Sequence, residues 1–289
     1  MGSFAYSATV SRVQTANSTN PDLRYVSSKQ MGKQLGKQMG KQMPETTFDC
    51  SQVTQIPVTE CQALVDFYQS TNGHNWEQKD NWLVTNTPCD WFGITCSTTV
   101  PKHILTMSLS YNNVSGELME SFGNLENMTH LYLHTNIISG SLPRSIGNLR
   151  ELKLLSAYNN QFSGTLPDSM GKLSKLEVVS FNSNYLSGNL PSAIGTIGKE
   201  GTTHHLRAFS IANNIFTGDI PGQLGDLSAI RYLDLIRNRF TGVSRTNIIN
   251  TCRVLRYHQS GHVWWQEQTP PLPADPCAGV PTGVPALSE

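Results

Sequence analysis

The sequence predicts an α/β solenoid, and three observations predict it. An asparagine recurs on a near-fixed period: Asn112, Asn136, Asn160 and Asn184 every 24 residues, Asn214 after 30, and Asn238 after 24 more. Around each of them the same apolar frame returns, and a glycine follows four residues later. The six cysteines fall at the ends of the chain, with none between residues 97 and 251. Self-similarity at a period of 20–50 residues means stacked coils, because one such unit cannot bury its apolar edge alone.

Each column of the repeat has a physical reason. Six units start at Ile104, Met128, Leu152, Leu176, Leu206 and Ile230. Their Leu-x-x-Leu-x-Leu spacing contains a period of two, so one side of a short strand faces inward and the other faces solvent. The asparagine must then point inward at the strand end, where its amide satisfies backbone groups of the bend. Gly116, Gly140, Gly164, Gly188, Gly218 and Gly242 sit where the chain reverses, a place that crowds a side chain or demands positive φ. Pro143, Pro167, Pro191 and Pro221 fix an extended return that needs no ladder donor. A second glycine column (Gly123, Gly147, Gly171, Gly195, Gly225) precedes the closing apolar residues Leu125, Leu149, Leu173, Ile197 and Leu227.

This pattern resembles the 24-residue plant-type subclass of leucine-rich repeat proteins over residues 104 to about 243, with a degenerate tail to Cys252. The departures are Met119 and Arg245 in proline positions and six extra residues around Glu200–His205 in the fourth unit. The resemblance implies a right-handed horseshoe, with short parallel strands on the concave face and 3-10 or irregular segments on the convex side.

Such a solenoid needs caps at both ends. Thr59-Glu-Cys-Gln62 reads as a capping box, and Cys61, Leu64, Val65 and Tyr68 predict a helix over about 60–71, stopped by Asn72-Gly73. The stretch from Trp76 through Trp82 to Cys89-Asp-Trp91-Phe-Gly93-Ile-Thr-Cys96 resembles the family's N-terminal cap, in which tryptophans plug the core and a disulfide pins a hairpin. Pro88 stands where land-plant caps usually carry a second cysteine, closer to algal, protist or bacterial relatives. On that resemblance Cys89 pairs with Cys96, Cys50 with Cys61 and Cys252 with Cys277. The expected organisation is a disordered extension over 1–49, a cap over 50–103, six repeats over 104–253, a C-terminal cap over 254–277 covered by Trp264-Trp265, and a proline-rich tail over 278–289. Within the extension, Met31, Leu35, Met39 and Met43 recur every four residues, but a glycine in each turn favours a low-complexity tail over a helix.

Composition narrows the function. The 289 residues carry 21 basic and 21 acidic side chains, which disfavours nucleic acid, whose binders need a basic face. The sequence holds no run of 18 or more apolar residues, the length a bilayer-spanning helix needs. Cysteines placed as terminal staples imply an oxidising compartment, extracellular or cell-surface, although Met1–Val10 lack the pattern of a secretory leader. No phosphate loop, HExxH, GxSxG or EF-hand loop occurs, so neither enzyme activity nor a cofactor is expected. His130 and His134 share a strand face without further ligands nearby, and His204, His205, His258 and His262 read as solvated loop residues. Sequons at Asn17, Asn113 and Asn127 permit glycosylation on export.

The resemblance places outward positions 3, 5 and 7 of each unit on the concave face. The residues expected to bind there are Thr106, Ser108, His130, Tyr132, His134, Ser156, Tyr158, Ser180, Asn182, Tyr232 and Asp234. Six strands about 4.8 Å apart span about 24 Å. That width suits a peptide, a glycan or one edge of a protein. The expected function is a monomeric, non-enzymatic recognition module. One rival is a secreted-glycosidase inhibitor like the polygalacturonase-inhibiting proteins, which carry more repeats. The other is an ice-binding or structural wall protein, against which position 14 is irregular (Glu117, Ser141, Thr165, Asn189, Asp219, Val243).

Overall fold

The computed structural model describes residues 48–258 and Cys277. The expectations for residues 1–47, for Trp264-Trp265, for His262 and for the proline-rich tail lie outside the described residues. The cap begins two residues earlier than expected. Phe48 sets its ring edge against Trp91 at 5.3 Å, and the Asp49 carboxylate accepts the Ser51 N–H at 2.9 Å to open a 3-10 turn at Cys50–Gln52.

Helix α1 spans Val58–Ser70, starting two residues before the expected point, and Thr59…Gln62 is not a capping box. Pro57 occupies the N-cap with φ −56° and no side-chain capping bond; its fixed φ starts the helix unaided. Glu60, in the first turn of the helix, turns into the core. Its carboxylate lies 2.6 Å from His103 Nδ1 and accepts the Ile104 N–H at 2.8 Å, joining the cap to the first repeat. The helix ends where Asn72 takes the left-handed conformation, φ 53°. Behind it, Phe67, Tyr68, Trp76, Trp82 and Trp91 form a continuous aromatic plug, with Trp76 and Trp82 edge to face at 5.0 Å. Each buried indole N–H has a carbonyl partner: Trp76 to Thr71, Trp82 to Phe92 and Trp91 to Thr85.

One sheet of seven strands runs along the solenoid: β1 (Ile94–Cys96), β2 (Ile104–Ser108), β3 (His130–Tyr132), β4 (Leu154–Ser156), β5 (Val178–Ser180), β6 (Ala208–Ser210) and β7 (Tyr232–Asp234). Strand β1 is antiparallel to β2, and the six repeat strands are mutually parallel. The alternating leucine column supplies the core: Leu131, Leu133, Leu155, Val179, Phe181, Phe209 and Ile211 are all buried. Disulfides join Cys50 to Cys61, Cys89 to Cys96 and Cys252 to Cys277.

The asparagine column is the spine between coils. Asn160 Oδ1 accepts the Ile138 N–H at 3.0 Å, while its Nδ2 donates to the carbonyls of Leu133 (2.9 Å) and Ala157 (3.2 Å). Asn184, Asn214 and Asn238 repeat the arrangement one coil at a time. At the N-terminal end, Asn112 docks on the cap by exchanging bonds with the backbone of Gln78.

The segment after each asparagine is not merely irregular. It forms a second layer of short parallel ladders: Ser115–Glu117 with Ile137–Ser139, and Ser163–Gly164, Tyr185–Gly188, Ile215–Ile220 and Arg239–Val243 in series. Each repeat proline then stands at the N-cap of a 3-10 turn, as Pro143 does (φ −65°, ψ 147°) before Arg144–Asn148. The second glycine column exists for close approach: a Cβ on Gly147 would lie 2.3 Å from the Ser169 carbonyl oxygen of the next coil.

Two features depart from the expected repeat. The insertion folds as an antiparallel hairpin, Lys199–Glu200 against Thr203–His204. Its His204 and His205 are half-buried rather than solvated, with His205 Nε2 3.5 Å from Glu200. The sixth coil gives way to helix α2 (Ile248–His258), so the repeats end before residue 253. Helix α2 closes the core through buried Cys252 and Leu255, and Thr251 Oγ1 donates to the Gly222 carbonyl at 2.9 Å.

Candidate functional site

The parallel register builds the outward rows directly. Position 3 runs Thr106, His130, Leu154, Val178, Ala208, Tyr232, and position 5 runs Ser108, Tyr132, Ser156, Ser180, Ser210, Asp234. Position 7 follows the strands as Ser110, His134, Tyr158, Asn182, Ala212 and Ile236, the N–H of each next residue bonded to the position-7 carbonyl of the following coil. The expected binding residues therefore share one face. Ser156 is a correction: it is only 8% exposed, a small side chain in register between Tyr132 and Ser180, so it forms floor rather than a contact point.

Rings concentrate over the first three coils. His134 lies flat against Tyr158, centroids 4.4 Å apart and planes 4° apart, and Tyr111 meets His134 edge-on at 5.2 Å. His130 and Tyr132 are nearly parallel at 6.2 Å. Burial in this cluster holds the His134 imidazole below its ordinary pKa. Burial, then the neighbouring Tyr111, pushes the Tyr158 hydroxyl up. Both groups are thus kept neutral at physiological pH. The Thr129 hydroxyl donates to the Leu105 carbonyl (2.9 Å) and lies 2.8 Å from His130 Nδ1, which orients the His130 ring.

Tyr111 was not among the residues expected to bind, because it occupies position 8 rather than 3, 5 or 7. Every position 8 is left-handed: Tyr111 (φ 56°), Thr135, Asn159, Ser183, Asn213 and Arg237. Asparagine tolerates that conformation, whereas a bulky ring does not favour it. Yet Tyr111 is 64% exposed and touches the cluster. An aromatic residue in a column of small polar ones was the available signal.

The far end of the face differs. The Tyr232 hydroxyl donates to Asp234 at 3.1 Å, and the Ile236 N–H approaches the same carboxylate at 3.3 Å. Burial, then the Asp234 charge, pushes the Tyr232 hydroxyl up. Of the two described sequons, Asn113 is exposed with its amide on the Asn75 carbonyl at 3.0 Å, while the half-buried Asn127 amide lies 3.1 Å from His103. Among the described residues, no cluster of three or more His, Cys, Asp or Glu could hold a metal ion, and no helix is long and apolar enough to cross a membrane.

Comparison with known proteins agrees with this architecture. Residues 59–97 match the family model "Leucine rich repeat N-terminal domain", and residues 103–125, 127–149 and 151–173 match "Leucine Rich Repeat". A search of curated proteins returned no match. Among solved structures, the chain is similar to the ectodomain of the receptor kinase SOBIR1 from Arabidopsis thaliana: 24% identity, TM-score 0.53, covering 66% of this chain and 98% of that one. It is similar to a plant ice-binding protein (25%, TM-score 0.55, 67% of this chain and 61% of that one). It also resembles the Arabidopsis receptor kinase HAESA ectodomain in complex with a peptide hormone ligand (24%, TM-score 0.54, 67% of this chain and 32% of that one). The chain therefore carries a leucine-rich repeat N-terminal domain followed by leucine-rich repeats, and it shares the fold of plant leucine-rich repeat ectodomains.

Proposed function

We propose that this chain is a non-enzymatic, extracellular recognition module that captures its ligand on the concave face of the first repeats. The observation that carries this reading is the ring cluster of Tyr111, His130, Tyr132, His134 and Tyr158 mounted on a parallel sheet. Rigid aromatic side chains are the usual anchors of recognition surfaces, because they bury much area for few rotatable bonds. Three disulfides support an oxidising compartment, and the similar SOBIR1 and HAESA structures are ectodomains. Glycosylation at Asn113 fits that setting, since its side chain is exposed.

The test is capture of secreted proteins, peptides and glycans by immobilised wild type and by Tyr132→Ala/Tyr158→Ala. Capture lost with an unchanged melting temperature supports the reading; unchanged capture places the site elsewhere. A pectinase inhibition assay discriminates the glycosidase-inhibitor alternative. Ice binding is disfavoured by the use of three of the six position-12 hydroxyls: Ser139 and Ser187 donate to Gly116 and Gly164 carbonyls, and Thr241 to Asp219. Hydroxyls so committed do not form a free array, and absence of thermal hysteresis is the expected result.

A further inference from the structure

We infer that the ligand of the aromatic cluster is a neutral oligosaccharide, an assignment that rests on the concave-face reading above. Positions 3, 5 and 7 of the first four repeats carry no Asp, Glu, Lys or Arg; the only formal charge on those rows is Asp234 in the sixth. A charged ligand group set over the cluster would therefore lose water without gaining a counter-ion, which is costly. The groups present are aromatic faces and small uncharged donors and acceptors, Thr106, Ser108, Ser180 and Asn182. A sugar ring offers the complementary chemistry, an apolar C–H face to lie on a ring and a rim of hydroxyls that both donate and accept.

Because β2 to β6 are hydrogen-bonded on both sides, any occupant over the cluster meets side chains rather than a strand edge, and a neutral peptide is the competing occupant in the test.

The experiment is affinity electrophoresis and calorimetry of the full chain against neutral gluco-, galacto- and manno-oligosaccharides, with uronic-acid oligomers and a pool of neutral peptides as the other arms. The variants are Tyr111→Asn, which places at position 8 the residue already found at Asn159 and Asn213, Tyr158→Ala, and Tyr185→Ala as an exposed tyrosine away from the cluster. The expected result is retention by a neutral oligosaccharide, insensitive to ionic strength, weakened ~10-fold by Tyr111→Asn and Tyr158→Ala and unchanged by Tyr185→Ala. Tyr111→Asn relieves a left-handed tyrosine, so loss of fold does not explain its loss of binding. Retention by uronic-acid oligomers alone, or by none of the sugars, overturns the assignment. Capture of neutral peptides, lost in Tyr158→Ala, overturns the sugar class but leaves the concave site standing. Sugar binding that survives both tyrosine variants overturns both.

Discussion

Replacing Asn160 with alanine tests the spine on which the face is built. The side chain is buried and makes three well-formed bonds: one accepted from Ile138 N–H at 3.0 Å, and two donated to Leu133 and Ala157 carbonyls at 2.9 and 3.2 Å. At about 1 kcal/mol of net stability per bond, the loss is about 3 kcal/mol. The adjacent Asn159 is exposed and left-handed (φ 52°), so Asn159→Ala costs only the strain of that conformation, about 1 kcal/mol. Urea unfolding followed by far-UV circular dichroism measures both. A sharper form is Asn160→Asp, which keeps an acceptor but aims a carboxylate at carbonyl oxygens. That carboxyl's pKa is raised in the folded state, so the folded protein binds the proton more tightly. The variant should be less stable than Asn160→Ala at neutral pH and regain stability as pH falls. If Asn160→Ala and Asn159→Ala unfold at the same urea concentration, the ladder does not hold the coils together and the argument for a fixed face fails.

Four further outcomes are expected. Gly147→Ala, whose added Cβ meets backbone at 2.3 Å, should cost about 3 kcal/mol by forcing coils apart. Gly201→Ala in the hairpin, with φ +58° and nothing within 4 Å, should cost about 1 kcal/mol; equal melting temperatures would refute the distinction. Removing the Cys252–Cys277 bridge, which closes 25 residues, should destabilise by about 3.5 kcal/mol through loop-closure entropy and speed proteolysis at α2. Because the His134 pKa is lowered by burial from 6.5, the unfolded chain takes up that proton first as pH falls. Its contribution to stability is then present above about pH 6.5 and lost below it, and His134→Gln should flatten the melting curve against pH in that window. Glu60→Ala leaves the buried Ile104 N–H unpaired and His103 with only the Asn127 amide, and should cost about 2 kcal/mol; a loss below about 1 kcal/mol would mean the cap does not depend on this link.

What the sequence disclosed, and what it hid, follows from which side chains face inward. The leucine, asparagine and glycine columns are legible because each fills the same buried environment in every coil, as Leu131, Leu155 and Val179 do. The second layer of parallel ladders left no such trace. Its buried residues, Ile138, Leu186, Phe216 and Phe240, read as one more apolar column of the coil, and the residues between them, among them Ile137, Thr217 and Arg239, face outward while backbone bonds form the ladder. The capping box misled because Thr59 and Gln62 have the right spacing but lie inside a helix that Pro57 already starts, and the partner of Glu60 beside them, His103, lies forty-three residues away. Helix α2 was hidden by expecting the repeat to continue past Val243. The binding face obeys the opposite logic to the core. There a column carries no constraint, so information lies in departures from it. Tyr111 shows this most clearly: the fold asks at position 8 only for a residue that tolerates φ near 55°, and asparagine or serine meets that demand with less strain. A tyrosine that fits the backbone poorly, stays exposed and still touches His134 is hard to explain by packing. Strain that stability does not need is itself an argument for contact with something outside the chain.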